Sequence, residues 1–392
     1  MRGDGDAMSD GGGAASVGLR EVALQWGRIG CTGFGGPPAH IALLRQLCVD
    51  RKAWLTDTEF EDAVAACNLL PGPASTQLAI FCAWRVAGPI GALAGGAAFI
   101  FPGLVMILVL AAVFLGSPPD WVRGAGAGAG AAVAAVAVRA GIGLVPESWR
   151  RSVSHWRWVV YAVLGAVAAA TVGPWLVLVL LGCGAVEVAW RLRAGGDRLA
   201  DRAWLPLAAA AATVTGGLLA LVWVAFKVGA LAYGGGFVII PLMQADAVDA
   251  YHWMTNTEFL NAVALGQVTP GPVTQTVAVV GYAAYGVDGG LLAAVVAFAP
   301  SFSFVLLGAQ RFDTLRHNHV MRAFFGGAGP AAIGAIIGVA IPLALALDEW
   351  WQLGVLAGAA MALLVLRRGV VLTLLAAGAL GVVGSLLGAP LP

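Results

Sequence analysis

Long apolar runs alternate with short polar links along this chain of 392 residues. A helix needs about 20 apolar residues to cross the hydrocarbon core of a bilayer. Runs near 89–116, 124–145, 157–171, 173–190, 204–226, 289–310, 324–346, 351–366 and 369–390 meet that length or approach it and predict membrane helices. Three further stretches, 17–44, 56–85 and 226–243, are apolar but interrupted by glycine, proline or charge. Together they predict roughly ten to thirteen membrane segments. Composition agrees: 60% of residues are hydrophobic and 11% charged, against about 25% charged in a soluble domain. The 55 glycines suit close helix packing in lipid. The fold class expected is an all-α polytopic membrane protein, with the lipid bilayer as its solvent.

Residues 1–18, rich in glycine and aspartate, lack the apolar core of a signal peptide and read as a disordered cytoplasmic tail. The five cysteines (Cys31, Cys48, Cys67, Cys82, Cys183) form no CxxC pair and read as packing residues. The five histidines, at 40, 155, 252, 317 and 319, fall mostly in stretches read as loops, and His317 with His319 only weakly resembles a metal pair. No nucleophile elbow, phosphate loop or HExxH motif is present, so the reading is a non-enzyme with no catalytic residues, no cofactor, no metal and no nucleic-acid partner. A net charge of +1 says nothing about partners.

Shifted by 199 positions, the sequence meets itself. Residues 54–77, WLTDTEFEDAVAACNLLPGPASTQ, align with 253–276, WMTNTEFLNAVALGQVTPGPVTQT, with 11 of 24 positions identical. The same shift pairs Phe34-Gly35-Gly36 with Tyr233-Gly234-Gly235, and Arg28 with Lys227. The expected organisation is the tail, a first repeat over 19–190, a cytoplasmic linker over 191–203, and a connector helix with the second repeat over 204–392. Basic residues mark cytoplasmic loops, and here they exchange sides. Arg45, Arg51 and Lys52 in the first copy face Asp246 and Asp249 in the second, while the basic stretch 311–322 faces the sparsely charged loop 117–123. Two inverted-topology repeats are therefore expected.

Each repeat carries a Pro-Gly-Pro triplet, Pro71-Gly72-Pro73 and Pro270-Gly271-Pro272, within an apolar stretch. Continuing a helix through one proline costs about 3 kcal/mol, so interruption is cheaper. A new helix is expected to begin at the second proline, since proline suits the first helical position. Non-helical backbone at membrane depth persists only where it is buried in protein or lines a watery cavity. A helix start there offers free N–H groups and a positive dipole end to an anion. Asn68 and Gln267 precede the triplets; Ser75, Thr76 and Gln77, and Thr274, Gln275 and Thr276, follow them with neutral donors. The plain alternative is a pair of packing kinks. Arg28 and Lys227, beside glycine-rich turns, read as anion-attracting or as snorkelling to the interface. Glu59 and Glu258, in TDTEF and TNTEF, read first as helix caps, with proton coupling or gating as the alternative.

GFGGPPAHI (33–41), NLLPGPASTQ (68–77), YGGGF (233–237) and TPGPVTQT (269–276) resemble the chromate ion transporters, the CHR family, in their long two-domain form, over nearly the whole chain from about residue 20. The resemblance implies export of chromate across the bacterial inner (plasma) membrane, conferring chromate resistance and driven by the membrane potential or an ion gradient. It places Gly35, Gly36, Pro37, Pro71, Gly72, Pro73, Gln77, Gly234, Gly235, Pro270, Gly271 and Pro272 in the functional core. Tyr233 stands where the first half has Phe34, and Pro37 has no counterpart. A sulfate- or molybdate-type oxyanion carrier of the same architecture is the nearest alternative, and a non-transporting membrane scaffold or sensor comes from another class. A homo-oligomer is compatible with all three.

Overall fold

The computed structural model describes residues 17–68, 70, 72–171, 175–195, 216–232, 238–308 and 319–392. Among them it is helical, with no strand. Most of the tail, of the linker and of the expected connector lies outside the described residues, as do Pro71, Tyr233, Gly234, Gly235 and 309–318.

The first half opens with α1 (Leu19–Thr32) and α2 (Pro37–Arg45), the latter running into a π turn, Gln46–Arg51. Lys52 Nζ reaches Glu21 Oε1 at 2.7 Å, so the chain returns to the level at which it entered. α3 (Asp57–Cys67) leads to the first proline turn, and α4 (Ala74–Phe114) starts from it. Arg85 in α4 pairs with Glu59 at the start of α3, so this segment also folds back on itself. At 1.5 Å per residue, the 11 residues of α3 reach about 16 Å, half the thickness of a hydrocarbon core of about 30 Å. Arg45 pairs with Asp57 and ties the open ends of the two hairpins together.

Within α4 the backbone breaks at Ala87–Gly88. Gly88 takes φ 68° and ψ −163°, a conformation essentially confined to glycine. Pro89 then begins the long arm, 89–114, where its missing N–H costs no hydrogen bond. That arm coincides with the expected span. α5 (Asp120–Ala131), α6 (Val133–Arg151), α7 (His155–Thr171) and α8 (Leu176–Gly195) follow.

α9 (Gly217–Leu231) covers the described end of the apolar run at 204–226 and carries Lys227 within the same helix. Next come α10 (Ile239–Gln244) with a π turn (Ala245–Ala250), α11 (Asn256–Val268), a 3-10 turn (Val273–Gln275) and α12 (Thr276–Gly308). The chain ends with α13 (His319–Gly338), α14 (Ala340–Leu345), α15 (Trp350–Ala360) with a π turn (Met361–Val365), and α16 (Val370–Leu386). By length and composition, Ala74–Phe114, Asp120–Arg151, Val273–Gly308 and His319–Leu345 can cross a membrane, and shorter apolar helices accompany them.

Backbone features recur 199 residues apart: both π turns, the left-handed Ala53 (φ 48°) and His252 (φ 51°), and the left-handed Gly72 (φ 115°) and Gly271 (φ 100°). Thr56 with Glu59, and Thr255 with Glu258, form reciprocal capping boxes, the expected reading of TDTEF and TNTEF. α12 breaks at Tyr285–Gly286 as α4 does at Ala87–Gly88. The long arms of α4 and α12 pack at the centre. Gly96 lies against Phe302, and Leu108 against Gly290, so the two helices run antiparallel.

Candidate functional site

The site is assembled around the two proline turns. Asn68 ends α3, its backbone N–H bonded to Val64 O at 3.1 Å. Pro73 is the N-cap of α4, so the helix starts one residue later than expected, at Ala74. Pro272 caps the 3-10 turn Val273–Gln275, which tightens into α12 at Thr276. The first N–H groups of each helix have no acceptor within it.

Each turn is held by the opposite half. A Cβ on Gly72 would come within 3.2 Å of Ser301 Oγ in α12 and 3.4 Å of Gly229 O in α9. Gly271 N donates to Gly33 O, beyond α1, at 3.1 Å. Gln275 Nε2 donates to Ile100 O in α4 at 2.7 Å. A Cβ on Gly103 would run into the carbonyl of Pro270, so α4 carries a glycine where this turn docks. Gly36 faces Val273, which brings the first glycine-rich bend to the second proline turn. Gly35 and Gly36 have positive φ, and Pro37 opens α2.

Buried side-chain atoms without a hydrogen-bond partner gather here. They include Thr76 Oγ1, Gln267 Nε2, Thr274 Oγ1, Gln275 Oε1 and Ser301 Oγ. Buried polar groups are nearly always paired, and each unsatisfied one costs about 1–3 kcal/mol. Thr76, Thr274, Gln275 and Ser301 are completely buried, so the turns are closed to solvent. Thr276 is satisfied, its hydroxyl donating to Val273 O at 2.8 Å. The free hydroxyls and the Gln267 amide nitrogen are donors, a set that fits a ligand of acceptor oxygens.

Ser75 differs from its counterpart Thr274. It meets His40 Nδ1 at 3.2 Å, and His40 Nε2 meets Gly33 O at 2.9 Å. His40 is fully buried in α2, within the interrupted apolar stretch 17–44. His155 and His319 also begin helices, whereas His252 lies in a turn and His317 lies outside the described residues.

The two expected cations do not join the cluster. Arg28 is exposed on α1. Lys227 Nζ makes bonds of 2.9 and 2.7 Å to both carboxylate oxygens of Asp246, so its charge is neutralised locally. Glu59 and Glu258 lie half-buried at the helix starts, each held in its capping box. Sequence reasoning missed Ser301, Gly103 and His40. Pro102-Gly103 and Pro300-Ser301 are repeat partners at a spacing of 198, one residue short of the main register, which hides them from a fixed shift. A surface recess of about 330 Å³, lined among others by Gln244, Asp249 and Asn256, does not reach the turns.

These elements define a multi-pass α-helical membrane protein with a polar site at interrupted backbone. Residues 20–188 and 219–382 match the family described as Chromate transporter, and the chain belongs to that family. It is 33% identical over 343 residues to the chromate transport protein of Cupriavidus metallidurans, covering 83% of this chain and 82% of that one. It is 29% identical over 336 residues to the chromate transport protein of Pseudomonas aeruginosa, covering 81% and 79%. A probable chromate transport protein of Synechococcus elongatus is 27% identical over 340 residues, covering 83% and 84%. No solved structure matches the chain.

Proposed function

We propose that the chain carries chromate, a tetrahedral oxyanion, out of the bacterial cytoplasm across the plasma membrane, with the paired proline turns as its binding site. The observation that carries this reading is the set of orphan donors buried around the two proline turns, Thr76 and Thr274 at the helix starts, Gln267 at the end of α11 and Ser301 beside Gly72. Free N–H groups at those starts complete an anion site. Asn68, Pro73, Ser75, Gln77, Pro270, Pro272 and Gln275 shape it; Pro71, Tyr233, Gly234 and Gly235, expected beside them from the sequence, lie outside the described residues. The names of the relatives support chromate as the ion.

The two halves are inverted repeats, a reading supported by the antiparallel long arms and by the 199-residue recurrence of backbone features. Each half then opens toward its own face, and the first half, with Arg45, Arg51 and Lys52, faces the cytoplasm. Moving one charge through 100 mV is worth about 2.3 kcal/mol, so a dianion leaving a negative-inside cell gains roughly twice that.

The test is chromate flux into vesicles reconstituted with the pure chain, with and without an imposed potential and with sulfate as competitor. Potential-dependent chromate uptake is expected. Sulfate transported in preference to chromate would move the assignment to a sulfate-type carrier, and absence of flux for either anion would sink the transport reading. Labelling of single cysteines placed at 45–52 and at 244–252 should occur from opposite sides. Labelling from one side would make the repeats parallel.

A further inference from the structure

We infer that His40 is the proton-binding group of the anion site, so that the oxyanion binds together with one proton. This rests on the proposed oxyanion reading of the proline turns and adds the charge which that site lacks.

The tautomer follows from the partners. Gly33 O can only accept, so His40 Nε2 carries the hydrogen of that 2.9 Å bond. In the neutral ring Nδ1 is then an acceptor, and the Ser75 hydroxyl donates to it across 3.2 Å. Protonation at Nδ1 reverses the bond. The new N–H donates to Ser75 Oγ, and the Ser75 hydrogen is released to donate elsewhere, beside the orphan hydroxyl of Thr76. One proton taken from water thus supplies a positive charge and one more donor. Gly33 O also accepts from Gly271 N at 3.1 Å, so the ring is one hydrogen bond removed from the second turn.

Among the described residues on the elements packed around His40, no other ionisable group competes for this role. On α1, Arg28 and Cys31 are exposed, Arg20 is exposed at the first turn, and Glu21 pairs with Lys52. On α4, Arg85 pairs with Glu59 and Cys82 is a buried thiol. On α2 and its π turn, Arg45 pairs with Asp57, Cys48 is buried, Asp50 and Arg51 are exposed. The second half has Ile239 at the equivalent position, so one proton per site is expected, not two. An anion held at mid-membrane without a counter-charge is costly.

The experiment measures chromate affinity and proton uptake in weakly buffered detergent solution between pH 6 and 8. In the native chain, affinity should rise toward tenfold per unit fall in pH, the limit for one linked proton, and binding should take up protons. His40→Gln keeps a donor for Gly33 O, and should flatten the pH slope and abolish the uptake, after subtraction of protonation of chromate itself. If His40→Gln does not fold, nitrogen-15 spectra of a chain retaining His40 as its sole histidine decide: chromate should convert a neutral ring to one protonated on both nitrogens. Chromate binding with a ring that stays neutral, or with equal proton uptake in both chains, overturns the inference and leaves the proposed function standing. Failure of the native chain to bind chromate removes both.

Discussion

Gly72 and Gly271 occupy nearly the same backbone conformation, with φ of 115° and 100°, yet their surroundings differ. After the first turn Ser75 is engaged by His40; after the second, Thr274 has no partner. The first turn docks beside Ser301 and the second beside Gly103. Glu59 pairs with Arg85, and Lys227 pairs with Asp246 while Arg28 stays exposed. The shared part is the shape of the main chain, and the divergent part is the side-chain chemistry around it. A site built from backbone geometry can keep its form in two copies while each copy takes different polar duties.

The most damaging way to test this comparison is to make the docking positions alike. Gly103→Ser gives α4 the residue α12 has, but its Cβ runs into Pro270 O and must displace the second turn. Transport normalised to membrane protein level should fall at least about 100-fold, consistent with overpacking of roughly 1–3 kcal/mol plus loss of site geometry. Ser301→Gly should be much milder. Gly72→Leu and Gly271→Leu should approach the Gly103→Ser loss, since left-handed backbone costs a substituted residue about 1–2 kcal/mol. Normal transport by both leucine variants would reduce the turns to packing kinks.

Next in size is the buried pair. Lys227→Met leaves Asp246 with a side chain only 7% exposed and without its cation, a change that costs about 3–5 kcal/mol. Thermal stability in detergent should drop sharply and recover in Lys227→Met with Asp246→Asn. Arg28→Gln, with no buried partner, should leave stability unchanged. An equal loss for both would restore the symmetric role expected from sequence.

The orphan hydroxyls give a smaller effect with a distinctive signature. Thr76→Val and Thr274→Val each remove an unsatisfied buried group, so ligand-free stability should hold or rise. Chromate affinity should fall by about 10- to 100-fold, the worth of one hydrogen bond to a charged ligand. Loss of stability with unchanged affinity would remove these hydroxyls from the site.

The smallest effect concerns Glu59. The Thr56 backbone N–H, with the Thr56 hydroxyl and Arg85 adding to it against some burial, holds its carboxyl below the usual value. Its stabilisation is therefore present above the unfolded carboxyl range near 4.3 and lost as pH falls through the lowered folded value. Both partners are about two-fifths exposed, so Glu59→Gln should cost less than about 1 kcal/mol at neutral pH. The difference between the two chains, read from unfolding midpoints, should vanish in acid.

Much of this was legible in the sequence because local rules decide it. The apolar runs placed the long arms, TDTEF and TNTEF gave the capping boxes, and the prolines marked the helix starts to within a residue. Thr76, Gln267, Thr274 and Gln275, singled out beside the triplets, carry buried side-chain atoms without a hydrogen-bond partner. What stayed hidden depends on partners far along the chain. Gln275 finds Ile100 across 175 positions and Ser75 finds His40 across 35. Lys227 reads as a free cation until the fold brings Asp246, from a stretch read as an acidic loop, to its side. Ser301 lies one residue out of register. Periodicity has no means of reporting such meetings.

The Glu59–Arg85 pair that closes the first proline hairpin has an electrical meaning. With both ends at one face and a turn about 16 Å in, a charge held at that turn sits at an electrical distance of about one half. Bringing a dianion there from either side moves close to one elementary charge through the full field, worth about 2.3 kcal/mol at 100 mV. Occupancy should then shift about fiftyfold per 100 mV, with opposite sign from the two faces. With the anion site proposed above, the hairpin would act as a voltmeter whose dial is the dissociation constant.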